Sequence, residues 1–363
     1  MKLARASLFL ILVVGFCPLV LTAQLQRPET NFKIFQFPAD KIPTIDGKTD
    51  DWAIVPESYA IGSDQLTDDS KKFKAPDPKT LDVKVKVGYV KGINRLYFLY
   101  EAYDNYWDFA RTDLHNDTFE VIVDADLSGG PLIDRFHPNK DVDAWDAWTN
   151  FHSVHAQNYH TFTPADGKDW AMFWGPQQWL KELPFSNHAY NYTFKPGEAG
   201  KLIFEFWITP FDYADASGPG RSIESKLTEG KKIGLSWAII DYDDANATGN
   251  NGFWNLSPKH TMYGQASELV AFALMPLEPQ FRKKLEADWS STVVDMDRRL
   301  VAFKDLSVGN ITSWKWDFGD GKTSSEQNPE HAYEKADKYV VTLYVDGPDG
   351  KSRRAKVWHV VVK

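Results

Sequence analysis

The chain of 363 residues has a single cysteine, Cys17, and it sits in an apolar run near the N-terminus. The rest of the chain therefore has no disulfides and must be held by ordinary hydrophobic cores or by metal ions. Basic charge is also in deficit. With Lys2 and Arg5 set aside, 39 basic residues face 50 acidic ones, a net charge of −11. That balance disfavours nucleic acid and anionic membrane surfaces as partners and suits a neutral or cationic ligand. A nucleophile elbow, a zinc motif, a phosphate loop and a dinucleotide fingerprint are all missing from the sequence. No long helical period runs through it either.

What the N-terminus does have is Lys2 and Arg5, an apolar run over 8–21, and the small-residue end Thr22-Ala23-Gln24. These are the three zones of a secretory signal peptide. The run is short for a spanning helix and contains Pro18, which argues against a retained membrane span. Phe16 before Cys17 argues against a lipoprotein anchor, which wants a small residue there. Cleavage after Ala23 is expected, giving a secreted chain, extracellular or periplasmic, with no membrane span after cleavage.

Aromatic residues are in excess: ten of the 14 tryptophans fall between Trp52 and Trp254. Many belong in a core, yet an excess of indole in an exported β protein is also how flat platforms for ligand faces are built. Alternation of apolar and polar residues predicts strands over 34–37, 82–90, 95–103, 149–155, 170–174, 190–194, 202–208, 233–241 and 269–274. Many short strands separated by Gly, Pro, Asn and Asp predict an all-β fold, a jelly-roll-like antiparallel β-sandwich. The irregular span 134–200 is expected to be an insertion on its rim. Residues 24–275 form this domain, residues 276–286 read as a linker with Pro276 and Pro279, and residues 287–363 form a second domain.

The stretch 116–130 reads as the central strand of the larger domain. Phe119, Val121 and Val123 share one face, and Thr118, Glu120, Ile122 and Asp124 the other. A mid-strand glutamate is costly unless solvated or paired, so the second face is expected to line a groove rather than a second dry core. Asp124, Asp126 and Asp134 around the Ser-Gly-Gly turn offer oxygen ligands for calcium, though no motif requires a cofactor. His152, His155 and His160 are not preorganised for a metal, because residues three apart on a strand face opposite ways. The cluster Asp241-Tyr-Asp-Asp244 reads as a solvated loop.

Residues 287–363 resemble the PKD (polycystic kidney disease) domain, a small immunoglobulin-like β-sandwich. The resemblance rests on Phe303-Lys-Asp-Leu-Ser307, Ser313-Trp-Lys-Trp-Asp-Phe-Gly-Asp-Gly321, Asn328-Pro-Glu-His-Ala-Tyr333 and Tyr339-Val-Val-Thr-Leu343, in the family's order and spacing. Trp316 and Phe318 alternate into a core and Gly319-Asp-Gly321 makes a tight turn. Asp317 and Asp320 read as turn residues. Asp337 stands where the family usually has glycine, and aspartate tolerates the left-handed region. Such domains are spacers and surface modules, which implies other cell-surface proteins as partners.

Residues 35–274 resemble the family 9 carbohydrate-binding module. The opening signature is Ile42-Pro-Thr-Ile-Asp-Gly-Lys-Thr-Asp-Asp-Trp52. Leu96-Tyr-Phe-Leu-Tyr-Glu-Ala-Tyr-Asp104, Asp117-Thr-Phe-Glu-Val-Ile-Val-Asp124 and Gly252-Phe-Trp-Asn-Leu-Ser-Pro258 extend it. In that family two tryptophans sandwich a sugar ring, while a glutamate and an asparagine bind hydroxyls. The resemblance implies Trp254 for one wall, Glu120 for the carboxylate and Asn250 or Asn251 for the amide. The other wall falls at Leu114, so the sandwich is either lost or rebuilt from Trp107, Trp148 or another nearby aromatic. A polysaccharide or oligosaccharide is the implied partner, bound without catalysis on an open face. Two other readings stand beside it: a structural or adhesion protein without a sugar site, and a glycoside-acting enzyme pairing Glu120 with Glu101.

Overall fold

The computed structural model describes residues 25–282 and 284–359, so the expected leader lies outside the described residues. The chain divides into two compact units, Met1–Pro276 and Leu277–Lys363. In both, β-strands are the main regular element. No helix among the described residues is long and apolar enough to cross a membrane.

The strands of the larger unit are, in chain order, β1 Phe32–Phe37, β2 Ile61–Gly62, β3 Leu81–Val90, β4 Ile93–Asp104, β5 Thr118–Asp124, β6 Gln157–Phe162 and β7 Ala171–Phe173. They continue as β8 Ser186–Tyr192, β9 Gly200–Ile208, β10 Phe211–Tyr213, β11 Ile223–Glu224, β12 Lys232–Asp241, β13 Gly252–Asn255 and β14 Val270–Leu274. Their main sheet runs β7-β6-β5-β12-β14-β1-β3-β4-β9-β8, with β13 on β12 and β2 on β3. Strand β1 is the corner. Its first half pairs in parallel with β14 (Phe32↔Phe272) and its second half in parallel with β3 (Phe35↔Gly88). The sheet thus curls into a sandwich, with β5, β12 and β14 in one half and β3, β4 and β9 in the other.

The interior follows from period-two alternation. Val83, Val85 and Val87 of β3, Phe98 and Tyr100 of β4, Phe119, Val121 and Val123 of β5, Phe204 and Phe206 of β9, and Trp237 of β12 are all buried in one core. Aromatic pairs span it: Tyr100 stacks on Phe119 at 4.6 Å and Phe98 on Phe206 at 4.6 Å. The expected face of β5 with Phe119, Val121 and Val123 is therefore core.

The other face of β5 departs from expectation. It is a second dry core, in which Ile122, Ala238 and Ile240 are covered by Leu132, Ile133, Met262 and Leu269. Residues 134–200, expected as a rim insertion, supply β6, β7 and β8 to the two ends of the sheet. Residues 149–155, expected as a strand, instead hold the end of helix α1, Ala144–Asn150, and a turn. The Asp143 side chain caps that helix by accepting from the Trp145 and Asp146 amides, a local bond that wins over strand propensity.

The second unit has a three-stranded sheet of β15 Trp289–Asp295, β16 Leu300–Asp305 and β19 Glu330–Ala332. A four-stranded sheet of β18 Thr323–Ser324, β17 Ser313–Asp317, β20 Lys338–Gly347 and β21 Gly350–His359 faces it. Trp289, Phe303, Trp316, Phe318, Tyr333 and Leu343 form its core. Gly319 and Gly321 hold φ of +80° and +87°, as the tight turn requires. Asp337 is not among the residues of positive φ, so its place in the usual glycine position costs nothing.

Candidate functional site

The residues implied by the family resemblance do not converge on one open face. Trp254, on β13, is 7% exposed and belongs to the main core; its indole N–H donates to the Lys74 carbonyl at 2.6 Å. The ring is tilted against Phe73, with centroids 6.2 Å apart, and packs over Gly252. Trp107 is 1% exposed, stacks on Phe194 at 4.9 Å and donates to the Gly200 carbonyl. Trp148, on α1, is half-buried against His152. Asn251 closes its own loop, accepting from the Asp243 amide at 3.0 Å, with Asn250 beside it. Glu120 is 3% exposed beneath the second core, where it accepts the Asn158 amide at 2.9 Å near His160. The expectation that it faces a groove fails because chain from 131–136 and 260–269 folds over it. Glu101 lies on the outer face of the other half of the sandwich, so the two acids do not form a catalytic pair.

The calcium set of Asp124, Asp126 and Asp134 is also not assembled. Asp124 is consumed by its turn, accepting from the Ser128 and Gly129 amides, and Asp126 accepts from Ser128 as well. Asp134 is exposed and pairs with His152. The histidines do not converge: His155 lies near the Asp212 carbonyl and His160 near the Thr118 hydroxyl.

An open groove of about 660 Å³ does lie on the outer face of β3, β4, β9 and β8. Register explains its lining. Inward positions of these strands fill the core, and the alternate positions stand on the outer face in two cross-strand rows. One row is Lys84, Glu101, Ile203 and Asn191, and the other is Asp82, Tyr103 and Lys201. Asp82, Lys84, Asn191 and Lys201 are exposed, and Glu101 and Tyr103 half-exposed. The rest of this outer face is closed by the loop carrying Trp52, Val55 and Tyr59, all buried. The groove is thus an aromatic ring between a carboxylate and an ammonium, with a second row of acid, base and amide alongside. It can pack one apolar face and satisfy several hydroxyls or amides.

A second feature lies inside the same end of the sandwich. Asp104 ends β4, Asp117 precedes β5 and Asp241 ends β12, and one carboxylate oxygen from each lies within 4.8 Å of the other two. They are 2%, 3% and 7% exposed. Burial pushes Asp104 up to about 7 and Asp241 up to about 8, and carries Asp117 well above the ordinary carboxylate range, with the neighbouring acids adding to the shift. Among the described residues this is the set of acidic side chains gathered closely enough to hold a metal ion. Sequence reasoning read Asp241 as solvated; the signal available was an aspartate at the end of each of three predicted strands.

Fold and site define a two-domain, all-β protein: a curled β-sandwich with an open polar groove, followed by an immunoglobulin-like unit. Residues 291–362 match the family model of the PKD domain, so the C-terminal unit carries a PKD domain. The chain is similar to collagenase ColQ1 of Bacillus cereus, 48% identical over 48 residues, and to the pre-pro-metalloprotease PrtV of Vibrio cholerae, 52% identical over 46 residues. It spans only 5% of the length of each. Among solved structures, the PKD1 domain of Vibrio cholerae PrtV is 32% identical, with 22% of this chain and 98% of that one covered and a TM-score of 0.20. A family 9 carbohydrate-binding module from Caldicellulosiruptor kristjanssonii, in complex with cellotriose, is 14% identical; 68% of this chain and 95% of that one are covered, with a TM-score of 0.43.

Proposed function

We propose that the chain is an exported, non-catalytic carbohydrate-binding protein that takes a polysaccharide or oligosaccharide in the outer groove of β3, β4, β9 and β8, with the PKD domain as spacer or surface module. The observation that carries this reading is Tyr103, half-exposed on the groove floor between Asp82 and Lys201 in one cross-strand row. A pyranose has an apolar C–H face that packs on an aromatic ring and a rim of hydroxyls that need donors and acceptors, which Glu101, Asn191 and the flanking charges supply. Four strands at ordinary spacing give a floor about 14 Å across, enough for more than a point contact. The family 9 signature in the sequence supports the same ligand class. The site differs from the one that the signature implies, because Trp254 and Glu120 are buried.

A glycan array on the full chain, followed by calorimetry with the best ligand, tests this. Tyr103→Ala removes an aromatic platform worth about 0.5 to 1.5 kcal/mol beyond its area, and Glu101→Gln removes a charged hydrogen bond of about 1.5 to 3 kcal/mol, so each should weaken binding roughly tenfold. Both should leave folding unchanged. An array with no hits favours the adhesion reading. Release of new reducing ends from mixed polysaccharides, lost in Glu101→Gln, would overturn the non-catalytic part.

A further inference from the structure

We propose that the outer face of the four-stranded sheet in the PKD domain is a docking surface for an acidic polysaccharide, held by Lys315, Tyr344 and Arg353. Register puts the three in one row. Lys315 of β17 pairs with Tyr344 of β20, and Tyr344 with Arg353 of β21. Their chain neighbours Trp316, Leu343 and Val345 point into the domain core, so this row stands on the opposite face. At ordinary strand spacing the two cationic side chains are rooted about 10 Å apart, with the phenol ring between them. All three are exposed, and a groove of about 340 Å³ is lined by Lys315 and Tyr344 together with Ser313, Asp346 and Lys351.

The charges of this row are unanswered. Among the described residues no carboxylate pairs with Lys315 or Arg353. Neighbouring cations differ: Lys351 is paired with Asp346 at 2.8 Å, and Lys356 with Asp288 at 2.8 Å. Asp317, in the next row, is turned to the Gly319 amide at 2.9 Å. Tyr344 is open as well. It is 37% exposed, and among the described residues no ring stacks on it and no cation lies over it. The chain is acidic as a whole, yet β21 carries four bases, Lys351, Arg353, Arg354 and Lys356, and no acid, which makes this sheet a local exception.

The chemistry of the face selects its ligand. Two unpaired cations call for anions, and Arg353 can hold a carboxylate through two parallel bonds. An exposed ring between them calls for an apolar surface, which the C–H side of a pyranose offers. An extended polysaccharide that carries carboxylates supplies both at once. A peptide added as a strand does not fit here, because the backbone of β20 is already paired on both sides by β17 and β21. Val340 and Val357, a cross-strand pair 55% and 59% exposed, extend the same face, so contact can continue beyond the charged row. Neither this face nor its ligand rests on the assignment of the groove in the larger unit.

The test uses the full chain and three polymers. These are polygalacturonate, its fully methyl-esterified form, which keeps the rings and loses the charge, and polyglutamate, which keeps the charge and loses the rings. Calorimetry should show polygalacturonate binding that weakens as salt rises, with the other two at least tenfold weaker. Lys315→Gln and Arg353→Gln should each weaken it about threefold, and Tyr344→Ala about fivefold, with melting of the second unit little changed. If Tyr344→Ala fails to fold, the double variant Lys315→Gln/Arg353→Gln, at two exposed positions, should still lose about tenfold. No binding of polygalacturonate overturns the proposal. Equal binding of polyglutamate does so too, since it would reduce the site to charge attraction alone. Undiminished binding in the double variant also overturns it, and if that binding is lost in Tyr103→Ala the polymer belongs to the groove of the larger unit.

Discussion

The buried carboxylate of Glu205 accepts the indole N–H of Trp52 at 2.7 Å, and its second oxygen accepts the amides of Asp46, Gly47 and Lys48 at 3.2, 2.9 and 3.2 Å. One side chain on β9 thus clamps the whole Ile42–Trp52 signature onto the outer face of the sandwich. The glycine in it is required twice over. Gly47 has φ of +76°, and a Cβ there would sit 2.9 Å from the Tyr190 carbonyl. The motif's glycine and tryptophan, with the backbone amide of Asp46, are therefore parts of a clamp.

From this clamp follows a stability prediction. Glu205→Gln exchanges one acceptor oxygen for an NH₂ group that faces N–H donors, so several donors lose their partner in a buried place. Charged hydrogen bonds are worth about 1.5 to 3 kcal/mol each, and the loss should be about 3 kcal/mol or more. Trp52→Phe, which breaks one bond and keeps most of the packing, should cost about half as much. Denaturant melts of the larger unit measure both, and equal costs would show that packing, not the carboxylate, holds the loop.

Trp254 should behave as a core residue. Its ring lies over Gly252, where a Cβ would fall 2.1 Å from the indole, and its N–H is satisfied by Lys74. Trp254→Ala should cost about 3 to 5 kcal/mol, and Gly252→Ala should also destabilise because the displaced neighbour is a rigid ring. Calorimetric unfolding checks this. A Trp254→Ala protein that melts like the parent but loses glycan would restore the residue to a ligand wall.

Those two cases show what was legible in the sequence. Period-two alternation identified β3, β4, β9 and β12 to within a few residues, because the rule is local, and the PKD signature located its core at Trp316 and Phe318 for the same reason. What failed was non-local. Whether the Glu120 face is open depends on chain near Leu132 and Met262, which no local pattern links to β5. The acids Asp104, Asp117 and Asp241 meet only because β5 pairs with β12 while the curl at β1 brings β4 over them. Tyr103 could have been found: with Tyr97 it is one of two aromatics at outward positions of β4, out of phase with Phe98 and Tyr100.

Stability should rise with pH in the alkaline range because of Lys168. Its ammonium donates to the Arg111 carbonyl at 2.8 Å and lies over the Phe162 ring, and burial pulls its pKa down to about 8, against the pull of Asp108 and Asp113. An unfolded lysine titrates near 10.4. Between about pH 8 and 10.4 the unfolded chain therefore holds a proton that the folded chain has released, and stability increases with pH across that window. Solvent screening reduces the effect to on the order of 1 kcal/mol. Comparing the slope of stability against pH in the parent and in Lys168→Met measures it, and identical slopes would refute it.

The PKD domain should lose stability in acid through a single pair. His331 is stacked on Phe318 with centroids 4.0 Å apart, and its Nε2 lies 2.7 Å from Asp320 Oδ2, while Asp320 Oδ1 accepts the Lys322 amide at 3.0 Å. The pair thus pins the Gly319–Gly321 turn to β19, and so to the facing sheet. Burial alone would raise the Asp320 pKa, but the hydrogen bonds from His331 and the Lys322 amide outweigh it and hold the carboxyl below the ordinary range. A folded-state value below the unfolded one means that the contribution is fully present above the unfolded carboxylate value near 3.9 and is lost as pH falls through the folded value. Asp320→Asn should remove that acid step and lower stability at neutral pH by about 1 to 3 kcal/mol, the range for a charged hydrogen bond lost from a partly buried site. His331→Phe keeps the stacking on Phe318 and removes the imidazole donor, so it should reproduce the loss of the acid step. Melting of the second unit between pH 2 and 7 in the three proteins decides it: an acid step that persists in Asp320→Asn would assign the transition to another carboxylate.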